Sequence, residues 1–230
     1  MSDGATAFAG TAGAAAYVPY AGAERVLAAL EKWACDAEGP VCVLRGPEGA
    51  GKSMLLAVLA ARVGRHAVPV SVSALGLDPE TLARTLLDAL GAPWEGSPRV
   101  ALARAVERPG VQRLLLLVDD GDALAPRTEM WLFDFVRRSG GAVRVLLALR
   151  DARLAAELAA AFQAGTRVLA LDAPMSREEA EAWIRAELTR GGVDDALRAR
   201  FDAPTVGRLH ARSGGLPGRL QQEAAAILAD

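Results

Sequence analysis

Apolar residues recur along this chain in two rhythms that alternate. ERVLAALEKW (24–33) sets them at helical spacing, and EGP then breaks the run. VCVLR (41–45) is short, β-branched and bounded by Pro40 and Gly46, which predicts a buried strand. Residues 53–62 read as a helix and VPVSVSA (68–74) as a second strand. Asp78-Pro79-Glu80 opens a helix that runs to Leu90, because aspartate caps a first turn and proline suits it. After the loop GAPWEGSP come a helix to Glu107, the strand LLLLV (114–118), a helix over 128–138, the strand VRVLLAL (143–149), a helix over 152–163 and the strand RVLAL (167–171). Strands separated by helices imply parallel pairing, since parallel neighbours need crossover connections. The expected class is therefore α/β: a parallel five-stranded sheet with helices on both faces.

The rhythm changes after Pro174. SREEAEAWIRAEL begins with Ser176 at an N-cap position and Glu179 three residues later, the pattern of a capping box. Helices over 176–190, 194–200, 205–212 and 217–229 follow with no strand between them, which predicts a small all-helical C-terminal lid (174–230) on a core of 17–173. The opening MSDGATAFAGTAGAAA (1–16) is rich in glycine, alanine and threonine and reads as a disordered tail. It has neither the basic n-region nor the continuous apolar h-region of a secretory signal.

Composition narrows the partners. A chain of 230 residues with net charge −2 can bury a substantial core and has no overall basic excess of the kind that nucleic acid or an anionic membrane demands. Hydrophobic residues make up 52% but aromatics only 5%, the signature of alanine and leucine helices, and the apolar runs are shorter than the ~18–20 residues of a membrane span. Cys35 and Cys42 match neither a C-x-x-C redox pair nor a zinc pair, so reduced thiols and a cytoplasmic location are expected. His66 and His210 lack companion ligands at short spacing, so no metal site built by the protein alone is expected.

The chemistry starts where the first strand ends. Gly46-Pro47-Glu48-Gly49-Ala50-Gly51-Lys52-Ser53 is a complete G-x-x-x-x-G-K-S phosphate-loop pattern between a strand and a helix. Its glycines let the backbone wrap a phosphate, the helix N-terminus aims N–H groups and partial positive charge at it, and Lys52 reaches the outer phosphates. Ser53 is the expected Mg²⁺ ligand. LLLLVDDGDAL then supplies an apolar strand that ends in acids, with Asp119 placed to hold Mg²⁺ and Asp120 to orient an attacking water. Read alone, such a strand end could simply be solvated; behind a phosphate loop it is a metal-holding end.

The whole pattern from Tyr20 to Leu228 resembles a P-loop ATPase of the AAA+ group, and most of all its ExeA/GspA-type (AAA_22-like) branch, with MuB/TniB-type transposition ATPases as relatives. GPEGAGKS, LLLLVDDGDAL, TRVLALDAPMSREEAEAWIRAELTRGG and SGGLPGRL carry it. The resemblance implies a P-loop NTPase fold, ATP and Mg²⁺ as cofactors, and nucleotide-dependent homo-oligomers or a protein partner. It implies that Arg167 serves a neighbouring subunit's nucleotide, although a solvated strand-edge arginine is the plain alternative. It sets Arg219 near the γ-phosphate, yet Gly218 follows Pro217 and displaces the arginine by one position, about 100° around a helix. Tyr17 to Tyr20 fall where the base approaches, with Tyr20 the candidate contact; a hydrophobic clamp of the chain start is the alternative.

Two departures concern turnover. Asp120 stands where the family more often has glutamate, and Arg150 occupies or neighbours the place of a polar, water-positioning residue after the fourth strand. Arginine can stabilise phosphate charge but cannot accept a proton. The favoured reading is an ATPase that hydrolyses ATP slowly with Mg²⁺ and so controls self-assembly or a partner, of secretion or cell-envelope type by resemblance. Its alternatives are a nucleotide switch with negligible hydrolysis and a DNA-associated ATPase of transposition or replication type. Arginines recur in the lid, but interleaved acids make nucleic acid the less favoured partner.

Overall fold

Continuous apolar runs pack best where both faces of a sheet are covered. The computed structural model, which describes residues 13–35, 39–108, 110, 112–161 and 165–229, uses them in that way. Its strands are β1 (Val41–Arg45), β2 (Val68–Ser73), β3 (Leu114–Asp119), β4 (Val143–Leu149) and β5 (Arg167–Ala170). All pair in parallel in the order β2-β3-β4-β1-β5. β4 and the apolar part of β3 are buried throughout. β2 lies at one edge, which explains its weaker alternation and its tolerance of Pro69, a residue with no N–H for a ladder. Short β5 forms the other edge.

Side chains alternate between two cores. Leu115 and Leu117 join a cluster with α1 (Ala21–Cys35) and α2 (Lys52–Val63), whereas Leu114, Leu116 and Val118 join one with α3 (Pro79–Ala89), α4 (Pro98–Val106), α5 (Pro126–Arg138) and α6 (Ala152–Ala161). After β5 come only helices: α7 (Arg177–Arg190), α8 (Asp195–Arg198), α9 (Ala203–Ser213) and α10 (Pro217–Ala229). Ile184, Leu209 and Leu220 from these helices share the α1–α2 cluster, so the C-terminal helices stand over one face of the sheet. This is the P-loop NTPase fold: α/β, parallel, with helices on both faces.

Local chemistry sets the ends. Asp78 caps α3 by accepting from the Glu80 and Thr81 amides, and Ser176 and Glu179 form the capping box of α7. Some boundaries differ from expectation. α5 starts at Pro126, two residues before the expected 128, because proline is at home in a first turn. α9 starts at Ala203, where the Asp202 carboxylate accepts from the Thr205 amide. Within the expected tail (1–16), Ala14–Ala16 form a 3-10 turn that precedes Tyr17, closed by the Tyr17 amide donating to the Ala14 carbonyl. Residues 1–12 and 162–164 lie outside the described residues. Among the described residues, no helix is long and apolar enough to cross a membrane.

Leu116 is fully buried at the centre of the second core. Leu116→Ala should destabilise the fold by about 2–5 kcal/mol, because the surrounding strands cannot collapse into the gap; denaturant unfolding followed by circular dichroism measures it.

Candidate functional site

Strand order brings four chain segments to one rim. β1 ends at Arg45 opposite Leu149 of β4, and β2 ends at Ser73 opposite Asp119 of β3, so the loops after β1, β2, β3 and β4 emerge together. Ligands of open α/β sheets sit at such carboxyl ends.

The loop after β1 needs its glycines for distinct reasons. Gly49 and Gly51 have φ of +81° and +94°, left-handed values that side chains resist. At Gly46 a Cβ would come within 2.6 Å of the Leu171 carbonyl oxygen. The loop feeds α2, whose first amides have no partner within the helix. Lys52 Nζ donates to the carbonyls of Gly46 (2.7 Å) and Pro47 (3.0 Å), so two of its three donors brace the loop itself. Burial holds the Lys52 ammonium below the usual lysine range, and the nearby Asp119 carboxylate opposes that shift.

The DDGD turn after β3 is built as tightly. Asp119 accepts from the Asp120 amide at 2.9 Å. Asp120 has φ +51°, the one non-glycine residue among the described ones in the left-handed region, and its carboxylate accepts from the Ser73 hydroxyl at 3.2 Å. A Cβ on Gly121 would meet Leu149 Cδ2 at 2.5 Å and the Ala148 carbonyl at 3.0 Å, so the missing side chain lets this turn rest on the end of β4 without displacing the buried Leu149 side chain. That contact delivers Asp122 to the next loop. Its carboxylate accepts from the Arg150 amide (2.8 and 3.1 Å) and the Asp151 amide (3.0 Å), and Arg150 Nε stands 3.5 Å away. Burial pushes the Asp122 carboxyl up, but the two amides and the Arg150 guanidinium outweigh it and leave the group below the ordinary carboxylate range. In the sequence Asp122 shows only as a third acid directly behind a glycine.

These groups line a cavity of about 340 Å³. Glu48, Gly49, Gly51, Lys52 and Ser53 form its floor, and Asp119, Asp120, Asp122 and Arg150 one wall. Tyr17, Val18 and Tyr20 form a second wall, and Trp183, Glu187, Arg190 and Gln221 from α7 and α10 a third. Tyr20 Oη donates to the Ala50 carbonyl at 3.3 Å, and burial, followed by the Glu179 charge, pushes its hydroxyl up to about 12. Burial likewise raises Tyr17. Glu187 and Arg190, both lining the third wall, form an ion pair.

The two candidate arginines, Arg219 and Arg167, do not line this cavity. Gly218 donates its amide to the Gly49 carbonyl at 2.8 Å, and a Cβ on Gly218 would stand 2.8 Å from Gly49 Cα, so the start of α10 rests directly on the phosphate loop. Arg219 therefore packs its backbone and Cγ over Gly49, while its side chain is exposed and does not line the cavity. Arg167 opens β5 beside Cys42, at the end of the sheet opposite the phosphate loop, and does not line the cavity either.

Removing the Asp122 carboxylate strands three amide contacts in a largely covered position. Asp122→Ala should cost about 1–3 kcal/mol at neutral pH. Because the folded protein holds this carboxyl below its unfolded value of about 3.9, the contribution is complete above that value and fades as pH falls through and below it. Denaturant midpoints of both proteins between neutral and acid pH should therefore converge on acidification.

Comparison with known proteins agrees with this geometry. The family model described as "AAA domain" (AAA_22) matches residues 36–172. No curated protein matches. Among solved structures, Drosophila ORC bound to DNA has a TM-score of 0.64 at 19% identity, covering 90% of this chain and 54% of that one. Cdc6p from Pyrobaculum aerophilum has a TM-score of 0.66 at 16% identity, covering 96% and 62%. The Thermotoga maritima RuvB Holliday junction branch migration motor has a TM-score of 0.56 at 14% identity, covering 92% and 61%. This chain thus spans a little over half the length of those chains, and at such identities the likeness is one of fold. The match over residues 36–172 covers more than half of the sequence, and the chain belongs to the AAA domain family of AAA+ P-loop ATPases.

Proposed function

We propose that the chain binds ATP with Mg²⁺ in this cavity and hydrolyses it slowly, with the core (17–173) and the C-terminal helices (174–230) closing around the nucleotide. The carrying observation is the convergence of the glycine loop, Lys52, Ser53, Asp119 and Asp120 on one cavity. The residues fit both ligands: two left-handed glycines and a helix N-terminus without a side-chain cap suit a polyphosphate, and a hydroxyl and a carboxylate that line the same cavity suit a hard cation. Ser53 and Asp119 would hold Mg²⁺, which supplies charge neutralisation between the outer phosphates when bound.

Each side chain then has a task. Lys52 keeps two N–H groups on its own loop and has a third for a phosphate oxygen. Asp120, with one oxygen engaged by Ser73, accepts from the attacking water through the other. Arg167, at the end of the sheet opposite its own cavity, would serve a neighbouring copy's nucleotide, as the sequence resemblance implies, and make assembly part of turnover. Tyr20 and Trp183 border the base. Arg219 would need the start of α10 to turn before it could touch phosphate. Coupling to secretion or cell-envelope machinery, within an ExeA/GspA-type branch, follows from the sequence resemblance, and a cytoplasmic location from the expected reduced thiols Cys35 and Cys42.

A DNA-associated ATPase is the second reading, supported by likeness in fold to ORC bound to DNA and to a branch migration motor. A nucleotide switch without turnover is the third, supported by the short Asp120 side chain tied to Ser73.

Calorimetry with Mg·ATP should give saturable binding that falls about 10- to 150-fold in Lys52→Ala, the loss of one charge-assisted contact. Phosphate release should rise with protein concentration and fall about 100-fold or more in Asp120→Asn. Binding without release supports the switch, release stimulated by duplex DNA in a salt-sensitive manner supports the second reading, and absent binding removes all three.

A further inference from the structure

The carbonyls of the glycine-rich loop are taken up from several directions. Lys52 Nζ donates to those of Gly46 and Pro47, and the Tyr20 hydroxyl to that of Ala50. The Gly49 carbonyl is taken by the C-terminal helices: the Gly218 amide, in the first turn of α10, donates to it at 2.8 Å. At the other edge of that peptide plane, the Ala50 amide donates to the Pro47 carbonyl at 3.2 Å. The 49–50 peptide is thus held at both edges, once from within the loop and once by α10.

The second hold falls where the backbone is freest to turn. Gly49 sits at φ +81°, and glycine rotates its peptide planes at less cost than any other residue. Rotation of this plane would exchange its oxygen and its N–H in a loop that binds anions through N–H groups. The contact is also a close steric fit. A Cβ on Gly218 would stand 2.8 Å from Gly49 Cα and 3.2 Å from its carbonyl oxygen, and a Cβ on Gly49 would stand 3.2 Å from the Arg219 amide nitrogen. The atoms that a Gly218 methyl group would meet are all backbone, so no side chain can swing aside to admit it. The seating of α10 therefore depends on the shape of the loop, and the shape of the loop on the seating of α10.

We infer that Gly218 is a positioning residue for the phosphate loop: its amide fixes the 49–50 peptide, and through that bond the seating of α10 follows whether the loop holds phosphate. The N–H groups of such a loop cradle the α- and β-phosphates, which a diphosphate and a triphosphate share. Arg219, the side chain beside it, is exposed and does not line the cavity. The C-terminal helices accordingly respond to the diphosphate portion of the nucleotide, and respond alike to ADP and ATP. Such coupling is reciprocal, so a loop filled by phosphate tightens α10 by the same factor as seated α10 tightens the phosphate. The inference rests on the nucleotide reading above and adds to it which part of the nucleotide the C-terminal helices sense.

Amide hydrogen exchange on the full chain, followed over residues 214–222, tests this in wild type alone, with Mg·ADP and with Mg·β,γ-imido-ATP, calorimetry confirming saturation. Both ligands should slow exchange there by one common factor of about 5- to 150-fold, the size of a typical coupling. Gly218→Ala should weaken both ligands by one common factor in that range and abolish the slowing. Arg219→Ala should change either affinity by no more than about threefold. Because the exchange comparison uses wild type, it decides the question even if Gly218→Ala does not fold. A helix end that merely packs on the loop would show no slowing by either ligand while both bind, and that result overturns this inference alone. Slowing by the triphosphate only, or a selective loss of triphosphate affinity in Arg219→Ala, overturns it as well, since either moves the sensing to the terminal phosphate. A wild type that binds neither ligand overturns the nucleotide reading and this inference with it.

Discussion

β4 is wedged, buried on both faces, between the strand that feeds the glycine-rich loop and the strand that ends in aspartates, and the site takes its dimensions from that wedge. Were β1 and β3 direct neighbours, their loops would stand about 4.8 Å apart and leave no space between them. With one strand intervening, the gap accommodates a ligand, and the end of β4 becomes the back of the cavity. Apolar burial thus sets the spacing of charged groups that never enter the core.

The remaining walls come from distant parts of the chain and are joined by a few polar contacts. The Glu179 carboxylate accepts from the Ser176 amide in its own capping box and from the Ala21 amide at the start of α1, both at 2.7 Å. One side chain therefore begins two helices, and the chain start and the C-terminal helices are docked by the same residue. Tyr20 on the buried Ala50 carbonyl and Gly218 on the Gly49 carbonyl fasten the phosphate loop to both. The cavity is a joint among three segments, so order in any one of them depends on the other two.

The sheet was legible because buried parallel strands leave unbroken apolar runs, as in LLLLV and VRVLLAL. The glycine loop was legible because few backbones other than a phosphate cradle call for that spacing of glycine, lysine and serine. Asp122 was not, since its partners are backbone amides 28 and 29 residues further on, and a backbone amide leaves no mark in a sequence. The shift from Pro217 to Arg219 was visible as an extra glycine, but its cause, the close approach of Gly218 to Gly49, required the fold. The 3-10 turn at Ala14–Ala16 lacks any hydrophobic period and passes for tail. The family is evident from the core segments, whereas the branch within it depends on features that a single fold shares widely.

The left-handed backbone at Asp120 bears on why this chain departs from glutamate there. Among side chains with a Cβ, aspartate and asparagine enter that region at the lowest cost, because a short polar chain can bond locally, and a longer acid gains no such relief. The carboxylate here reaches the Ser73 hydroxyl from this posture with one methylene. Side-chain length and backbone shape are therefore matched at this position. A glutamate here would carry a longer chain from the same left-handed backbone, while the contact of Gly121 with the end of β4 holds the turn close to the strand. The short acid and the shape of the turn thus support each other.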